Sequence, residues 1–222
     1  MSRTLSRAFL NATAVGIMTH GFRSLGSLGD VEVWIRSQYG GHFQYLTIQG
    51  LLLAWLTMLT GLTVAIFPYS SALRSLKRHL FIIAMPLAAV ISLVYWTLIL
   101  LLPSLIVQSD RLRLPLSIDL ALHASPALAL LVDFLIFDIK YEERELKYRV
   151  PFAATVFAVW YGLWVEHCAK NNNGNFPYPF LTENPLEIRI VIYVVAALVA
   201  IMSFRLINSF HPTVTKQIRH DE

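Results

Sequence analysis

The feature that most constrains this chain is an apolar stretch, Leu116 to Phe137, which is long enough to cross a bilayer but contains three ionisable residues. A membrane-spanning helix needs about 20 predominantly apolar residues. At about 100° per residue, His123 lies about 40° to one side of Asp119 and Asp133 about 40° to the other. An acid at the bilayer centre costs about 2.5–3.5 kcal/mol and rarely faces lipid. The pattern predicts a membrane helix with a polar inner face.

The composition extends this prediction to the whole chain. Of its 222 residues, 56% are hydrophobic and 14% are charged, whereas soluble domains have about 25% charged residues. We therefore expect an all-α, polytopic membrane helix bundle that forms a single membrane domain over residues 1–222. Six transmembrane helices are predicted, at residues 7–22, 47–67, 80–102, 116–137, 150–167 and 188–207. The first is short and polar, and a signal peptide or a mitochondrial presequence is the alternative for it.

The distribution of basic residues predicts the orientation. With six spans, 12 of the 18 Lys and Arg residues fall on the side that holds both termini, which predicts cytosolic termini. Because these residues are scattered among loops, the net charge of +4 does not indicate a nucleic-acid partner. Membrane lipids are the expected partners.

Cysteine and histidine usage argues against a metal site. Cys168 is the single cysteine, so it cannot form an intramolecular disulfide. The seven histidines show no H-x-x-x-H or E-x-x-H spacing, so no metal is expected.

The predicted topology gathers polar residues at the non-cytosolic end of the bundle. The second and fourth helices both begin there, which places Thr47 and His123 at similar depth. Glu166 and His167 end the fifth helix on the same side, and the loop that holds Tyr178 follows them.

Thr47 and His123 are the candidates for chemistry. A threonine hydroxyl is a weak nucleophile without a base, and a neutral histidine is a suitable base. Asp119, one helical turn before His123, can orient the imidazole as the third member of a triad does. Unpaired N–H groups in the first turn at Thr47 can stabilise an oxyanion.

Structural roles are the alternatives for these residues. Thr47 can simply bond the carbonyl one turn back, and His123 can be a buried imidazole bonded to a neighbouring helix. Glu166 and His167 form either a second acid–base pair or a solvated helix end. Asp133 lies two to three turns deeper than His123 and is expected to anchor a basic or hydroxyl partner.

Three stretches of the sequence resemble one known family. They are SQYGGHFQYLTIQGLLL (37–53), IDLALHASPALALLVD (118–133) and YGLWVEHCAKNNNGNFPYPFLTENP (161–185). They resemble the androgen-induced protein and androgen-dependent TFPI-regulating protein family of multi-pass membrane hydrolases. The resemblance implies a cofactor-independent carboxylic ester hydrolase of fatty acid esters of hydroxy fatty acids, with Thr47 as nucleophile and His123 as base. An endoplasmic reticulum membrane is the expected location.

The chain departs from that family beside the histidine. Members usually carry Asn at the position of Asp119, and a His-Thr pair where this chain has His123 and Ala124. A non-enzymatic alternative stays open, in which a lipid-binding or transport bundle uses His123 and Asp119 to bind a headgroup or relay protons. A third interpretation is an assembly subunit whose polar face meets another membrane protein.

Overall fold

The computed structural model describes residues 3–105 and 114–212, and the regular elements in these two ranges are all helical. The helices are α1 (Arg3–Ser24), α2 (Asp30–Ser37), α3 (Leu46–Ile66), α4 (Ser71–Leu101), α5 (Leu116–His123), α6 (Ser125–Phe137), α7 (Val150–Asn171), α8 (Pro179–Thr182) and α9 (Leu186–Phe210). Short 3₁₀ or π turns lie at Leu25–Ser27, Gly41–Gln44, Pro103–Leu105 and Glu145–Arg149. The all-α prediction is confirmed over the described residues.

Part of the predicted membrane topology is confirmed. Among the described residues, α3, α4 and α9 are long and apolar enough to cross a membrane, and α5 with α6 makes a fourth span if the pair counts as one. Helices α1 and α7, each of 22 residues, are not in this group. Six spans and cytosolic termini remain predictions. Four residues that entered the charge count lie outside the described residues: Arg111, Arg113, Lys216 and Arg219.

The predicted single helix at 116–137 is wrong in one respect, because it is broken at Ala124. Helices α5 and α6 meet there at 44°. Pro126, in the first turn of α6, has no N–H to bond the carbonyl of Leu122, and proline disfavours helical geometry in the residue before it. Asp119 and His123 therefore lie on one short helix and Asp133 on the next.

Helix α3 is the centre of the bundle and packs against α1, α4, α5 and α6. Two glycines on it permit close approach of its neighbours. A Cβ built at Gly50 would lie 2.3 Å from Ile91 of α4, and one at Gly61 would lie 2.9 Å from the Asn11 amide of α1. Small residues on α3 thus let the neighbouring helices approach its backbone closely.

A buried cluster of charges joins α1, α4 and α6 far from Thr47. Lys77 pairs with Asp133, and its Nζ lies 3.0 Å from Asp138 Oδ2. Arg7 approaches both carboxylates, with Nε 3.5 Å from Asp133 Oδ1 and Nη2 3.7 Å from Asp138 Oδ2. The prediction that Asp133 anchors a basic partner is confirmed. Helix α4 begins at Ser71 rather than at residue 80, which brings Lys77 into the bundle.

Candidate active site

Thr47 is the second residue of α3, directly after a loop that is fastened to α7. Two side chains of α7 hold this loop: Trp164 Nε1 donates to the carbonyl of Phe43 at 3.0 Å, and the Tyr161 hydroxyl donates to the carbonyl of Gln44 at 3.2 Å. Gly40 begins the turn with φ of +85°, and a Cβ there would lie 2.6 Å from the Sγ of Cys168. The start of α3 is therefore rigidly positioned.

The hydroxyl of Thr47 contacts a tyrosine rather than a backbone carbonyl. Thr57 and Thr60 on the same helix each donate to the carbonyl four residues back at 2.7 Å. The Thr47 side chain instead lies close enough to the hydroxyl of Tyr178 to lower the pKa of that phenol. This contact sets Thr47 apart from the ordinary membrane threonines of α3.

The hydroxyl of Tyr178 takes up a backbone N–H that was expected to bind an oxyanion. The N–H of Leu46 donates to Tyr178 Oη at 3.0 Å, so the expectation of open N–H groups around Thr47 is not met. Burial raises the pKa of Tyr178, and hydrogen bonds from Thr47 and Leu46 only partly oppose it. The phenol therefore stays neutral at physiological pH and can donate a hydrogen bond as well as accept one.

His123 is held from two directions. Its Nδ1 lies 2.7 Å from Asp119 Oδ1 on the preceding turn of α5. Its ring is stacked on Tyr95 of α4, with centroids 3.4 Å apart and planes at 5°. Because an ionised carboxylate only accepts, the hydrogen of a neutral imidazole is assigned to Nδ1. Nε2 is then the nitrogen that can act as a base.

Two cavities meet at Thr47. Cavity A, of about 480 Å³, lies between α4, α7 and α9. Among the described residues that line it, the polar side chains are Thr47, Tyr95, Tyr161, Tyr178 and Tyr193. Cavity B, of about 170 Å³, lies beneath α2. Its polar lining residues are Trp34, His42, Tyr45, Thr47, Tyr95, His123 and Tyr178.

The two candidate residues thus share a cavity, but they are not equivalent. Thr47, Tyr95 and Tyr178 line both cavities, whereas His123 lines cavity B alone.

A charged group borders cavity B beside α2. Glu32 pairs with both Arg36 and His42, and His42 lines the cavity. Burial raises the pKa of Glu32, but the hydrogen bonds from Arg36 and His42 outweigh it, so the pKa lies below the ordinary 4.5. Glu32 is therefore ionised at neutral pH and fixes the position of His42.

Glu166 and His167 lie outside both cavities. The guanidinium of Arg189 binds Glu166 through two hydrogen bonds of 2.7 and 2.8 Å, and the Tyr193 hydroxyl donates to it at 3.0 Å. His167 Nε2 lies 3.2 Å from the hydroxyl of Tyr39. Glu166 thus joins α7 to α9, and His167 contacts the segment that precedes α3.

Tyr95 is the residue that sequence reasoning missed. Nothing distinguishes it from the other aromatic residues of an apolar helix. One signal was available: α3 and α4 are consecutive spans, so the end of α4 returns to the level at which α3 begins, and Tyr95 lies in the last two turns of α4.

No group of three or more His, Cys, Asp or Glu side chains that could hold a metal ion occurs in residues 3–105 and 114–212.

Comparison with known proteins identifies the family. The profile of the FAR-17a/AIG1-like protein family matches residues 6–211. A UPF0641 membrane protein of Schizosaccharomyces pombe is 30% identical over 228 residues, covering 96% of this chain and 95% of the relative. No solved structure matches. A match over nearly the whole chain, together with the motifs around Thr47 and His123, places this protein in the FAR-17a/AIG1-like family of membrane proteins.

Proposed function

We propose that this protein is an intramembrane lipid ester hydrolase with Thr47 as nucleophile and His123 as general base. The observation that carries the proposal is that Thr47 and an Asp119-oriented His123 line the same cavity. A nucleophile, a base and a group that orients the base are the three parts that acyl transfer requires.

The chemistry proceeds in two steps. Thr47 Oγ attacks the ester carbonyl while His123 Nε2 takes its proton, and the Thr47–acyl bond forms as the bond to the alcohol oxygen breaks. The proton passes from His123 to the departing alkoxide. Water, activated by His123, then hydrolyses the acyl-threonine and regenerates the hydroxyl.

Tyr178 and Asp119 support these steps. The Tyr178 phenol accepts from the N–H of Leu46, and such a bond polarises its O–H towards a developing oxyanion. Asp119 keeps the hydrogen on Nδ1 of His123 and stabilises the imidazolium that forms when Nε2 is protonated.

The substrate class rests on the family resemblance and on cavity A. Hydrolases that resemble this chain cleave fatty acid esters of hydroxy fatty acids, and the almost wholly apolar lining of cavity A suits an alkyl chain. We assign the protein to the endoplasmic reticulum membrane, in a six-span topology with cytosolic termini, and expect no metal or organic cofactor in the reaction.

The second candidate is a lipid-binding or transport protein. Cavity A alone would also suit a carrier of lipid chains, and its position among membrane helices favours this alternative. A carrier has no need of an activated hydroxyl, so covalent chemistry separates the two functions.

The test uses purified protein, a long-chain ester and a fluorophosphonate probe. Thr47→Ala should abolish both hydrolysis and labelling, and His123→Gln should reduce both by about 10²–10⁴-fold, the usual contribution of a general base. Thr63→Ala is the matched control, because Thr63 lies on α3 outside both cavities. Full hydrolysis by folded Thr47→Ala protein would refute the assignment of Thr47 as the nucleophile. Wild-type protein that neither hydrolyses the ester nor reacts with the probe would favour the lipid-carrier function.

A further inference from the structure

The two cavities differ in their access to the base. The alcohol oxygen that leaves the ester must receive its proton from His123, whose side chain lines cavity B and not cavity A. The acyl group stays bonded to Thr47, which borders both. The leaving group is therefore directed into cavity B, and cavity A remains for the acyl chain.

The geometry points to a divided ester site, in which the acyl chain extends through cavity A and the alcohol part lies in cavity B. This inference rests on the proposed function and specifies how its ester is bound, with the acyl and the alcohol halves in separate cavities.

Cavity A has the shape and chemistry for a long chain. On α4 its lining runs from Tyr95 to Ile83, about 18 Å at 1.5 Å per residue. The hydroxyls of Tyr161 and Tyr178 are hydrogen-bonded to the segment that precedes Thr47. The polar groups thus mark the reactive end, and the apolar lining extends away from it.

Cavity B suits a smaller and more polar group. Its volume is about a third of that of cavity A, and it brings His42 and Tyr45 close to His123. His42, held by Glu32, offers an imidazole to a polar substituent of the alcohol. A second long, purely apolar chain would remove water from these polar groups without offering them a hydrogen bond, which is costly in a buried site.

The acyl chain is selected by exclusion rather than by affinity. A chain that moves from the bilayer into an apolar cavity gains little hydrophobic free energy, because lipid tails are equally apolar. Narrowing cavity A should therefore selectively reduce the hydrolysis of esters with long acyl chains.

Two positions on α7 line cavity A at different depths and provide the test. Ala158 lies about 4.5 Å along the helix from Tyr161 and Ala154 about 10.5 Å. We would measure hydrolysis of 4-nitrophenyl esters from butyrate to palmitate by Ala158→Phe and Ala154→Phe proteins. Val159→Phe is the control, because this exposed neighbour lines neither cavity.

The expected result is a fall of about tenfold or more in the ratio of palmitate to butyrate hydrolysis, as for a chain forced against an overpacked site. Ala158→Phe should set its cut-off at a shorter acyl chain than Ala154→Phe, while Val159→Phe keeps the wild-type ratio. Both rates of a ratio are measured in one preparation, so inactive misfolded protein lowers both rates equally and does not change their ratio.

A second substrate series varies the alkyl chain of the alcohol at fixed butyrate. The two alanine variants should leave this dependence unchanged. Sensitivity to alcohol length instead of acyl length would overturn the division, and so would an unchanged palmitate-to-butyrate ratio in both variants. Failure of the hydrolase proposal looks different, because Thr47→Ala would then keep butyrate hydrolysis.

Discussion

Replacing Lys77 with methionine gives the largest expected loss of stability among the changes considered, because Lys77 is the most buried cation of the cluster. Its side chain is 3% exposed and that of Asp133 is fully buried. Without Lys77, two carboxylates face the single guanidinium of Arg7, whose Nε is 3.5 Å from Asp133. Removing one partner of a buried ion pair costs about 3–5 kcal/mol. At about 2–4 °C per kcal/mol for a chain of this size, the melting temperature should fall by about 6–20 °C.

A double variant separates the loss of the pair from the loss of the side chain. Lys77→Met combined with Asp133→Leu removes one cation and one anion. Arg7 and Asp138, 3.7 Å apart, then remain as one ion pair whose charges balance. Replacing a buried ion pair by apolar residues is often neutral or stabilising. The double variant should therefore melt well above the Lys77→Met single variant.

The measurement is thermal unfolding of the purified protein in detergent micelles, followed by tryptophan fluorescence. Val159→Phe, which alters an exposed position, is the control for a change of side-chain volume. A shift of less than about 2 °C for Lys77→Met would show that the buried charge cluster contributes little to the stability of the protein. Additive effects in the double variant would contradict direct pairing of Lys77 with Asp133.

Three further outcomes can be checked with the same preparations. Tyr95→Leu should lower kcat by about 2–10-fold, as measured by steady-state ester hydrolysis, because it removes the stacking on His123, which is worth about 0.5–1.5 kcal/mol. Tyr178→Phe should lower the free energy of unfolding by about 1–3 kcal/mol, measured by thermal unfolding, because it leaves the partly buried N–H of Leu46 without its acceptor. Burial raises the pKa of Glu145, but hydrogen bonds, chiefly from Arg78, lower it below the ordinary 4.5. The ionised Glu145 carboxylate therefore stabilises the fold at pH values above 4.5, and this stabilisation is lost as the pH falls through the lower pKa of the folded state. The melting temperatures of wild type and Glu145→Gln should therefore be similar in acid and differ towards neutral pH.

The sequence was sufficient to predict that Thr47, His123 and Tyr178 share one end of the bundle. Consecutive spans alternate in direction, so the positions of these residues along their helices place them at the same level. The contact of Asp119 with His123 was also predictable, because residues four apart on a helix face each other.

Features that depend on packing between helices could not be predicted. The partner of Asp133 was missed because the apolar pattern placed Lys77 in a loop, whereas the helix extends nine residues further towards its amino end. Pro126 carried a signal for the break at Ala124, but the continuous apolar run around it outweighed that signal. The stacking of Tyr95 on His123 depends on the rotation of α4 about its axis. This rotation cannot be predicted from the hydrophobic pattern, because the helix is apolar on all sides.

Helix α9 has a consequence for how such an enzyme would meet its substrate. It lines cavity A, yet only 6% of its apolar window is buried within the protein, so most of its surface is left for lipid. A chain dissolved in the bilayer is thus separated from cavity A by one helix that packs chiefly against α7 and α4. For an ester hydrolase of this architecture, the quantity that sets the rate is the mole fraction of ester in the membrane. Diluting the ester with inert lipid at constant bulk concentration should slow turnover, as in surface-dilution kinetics.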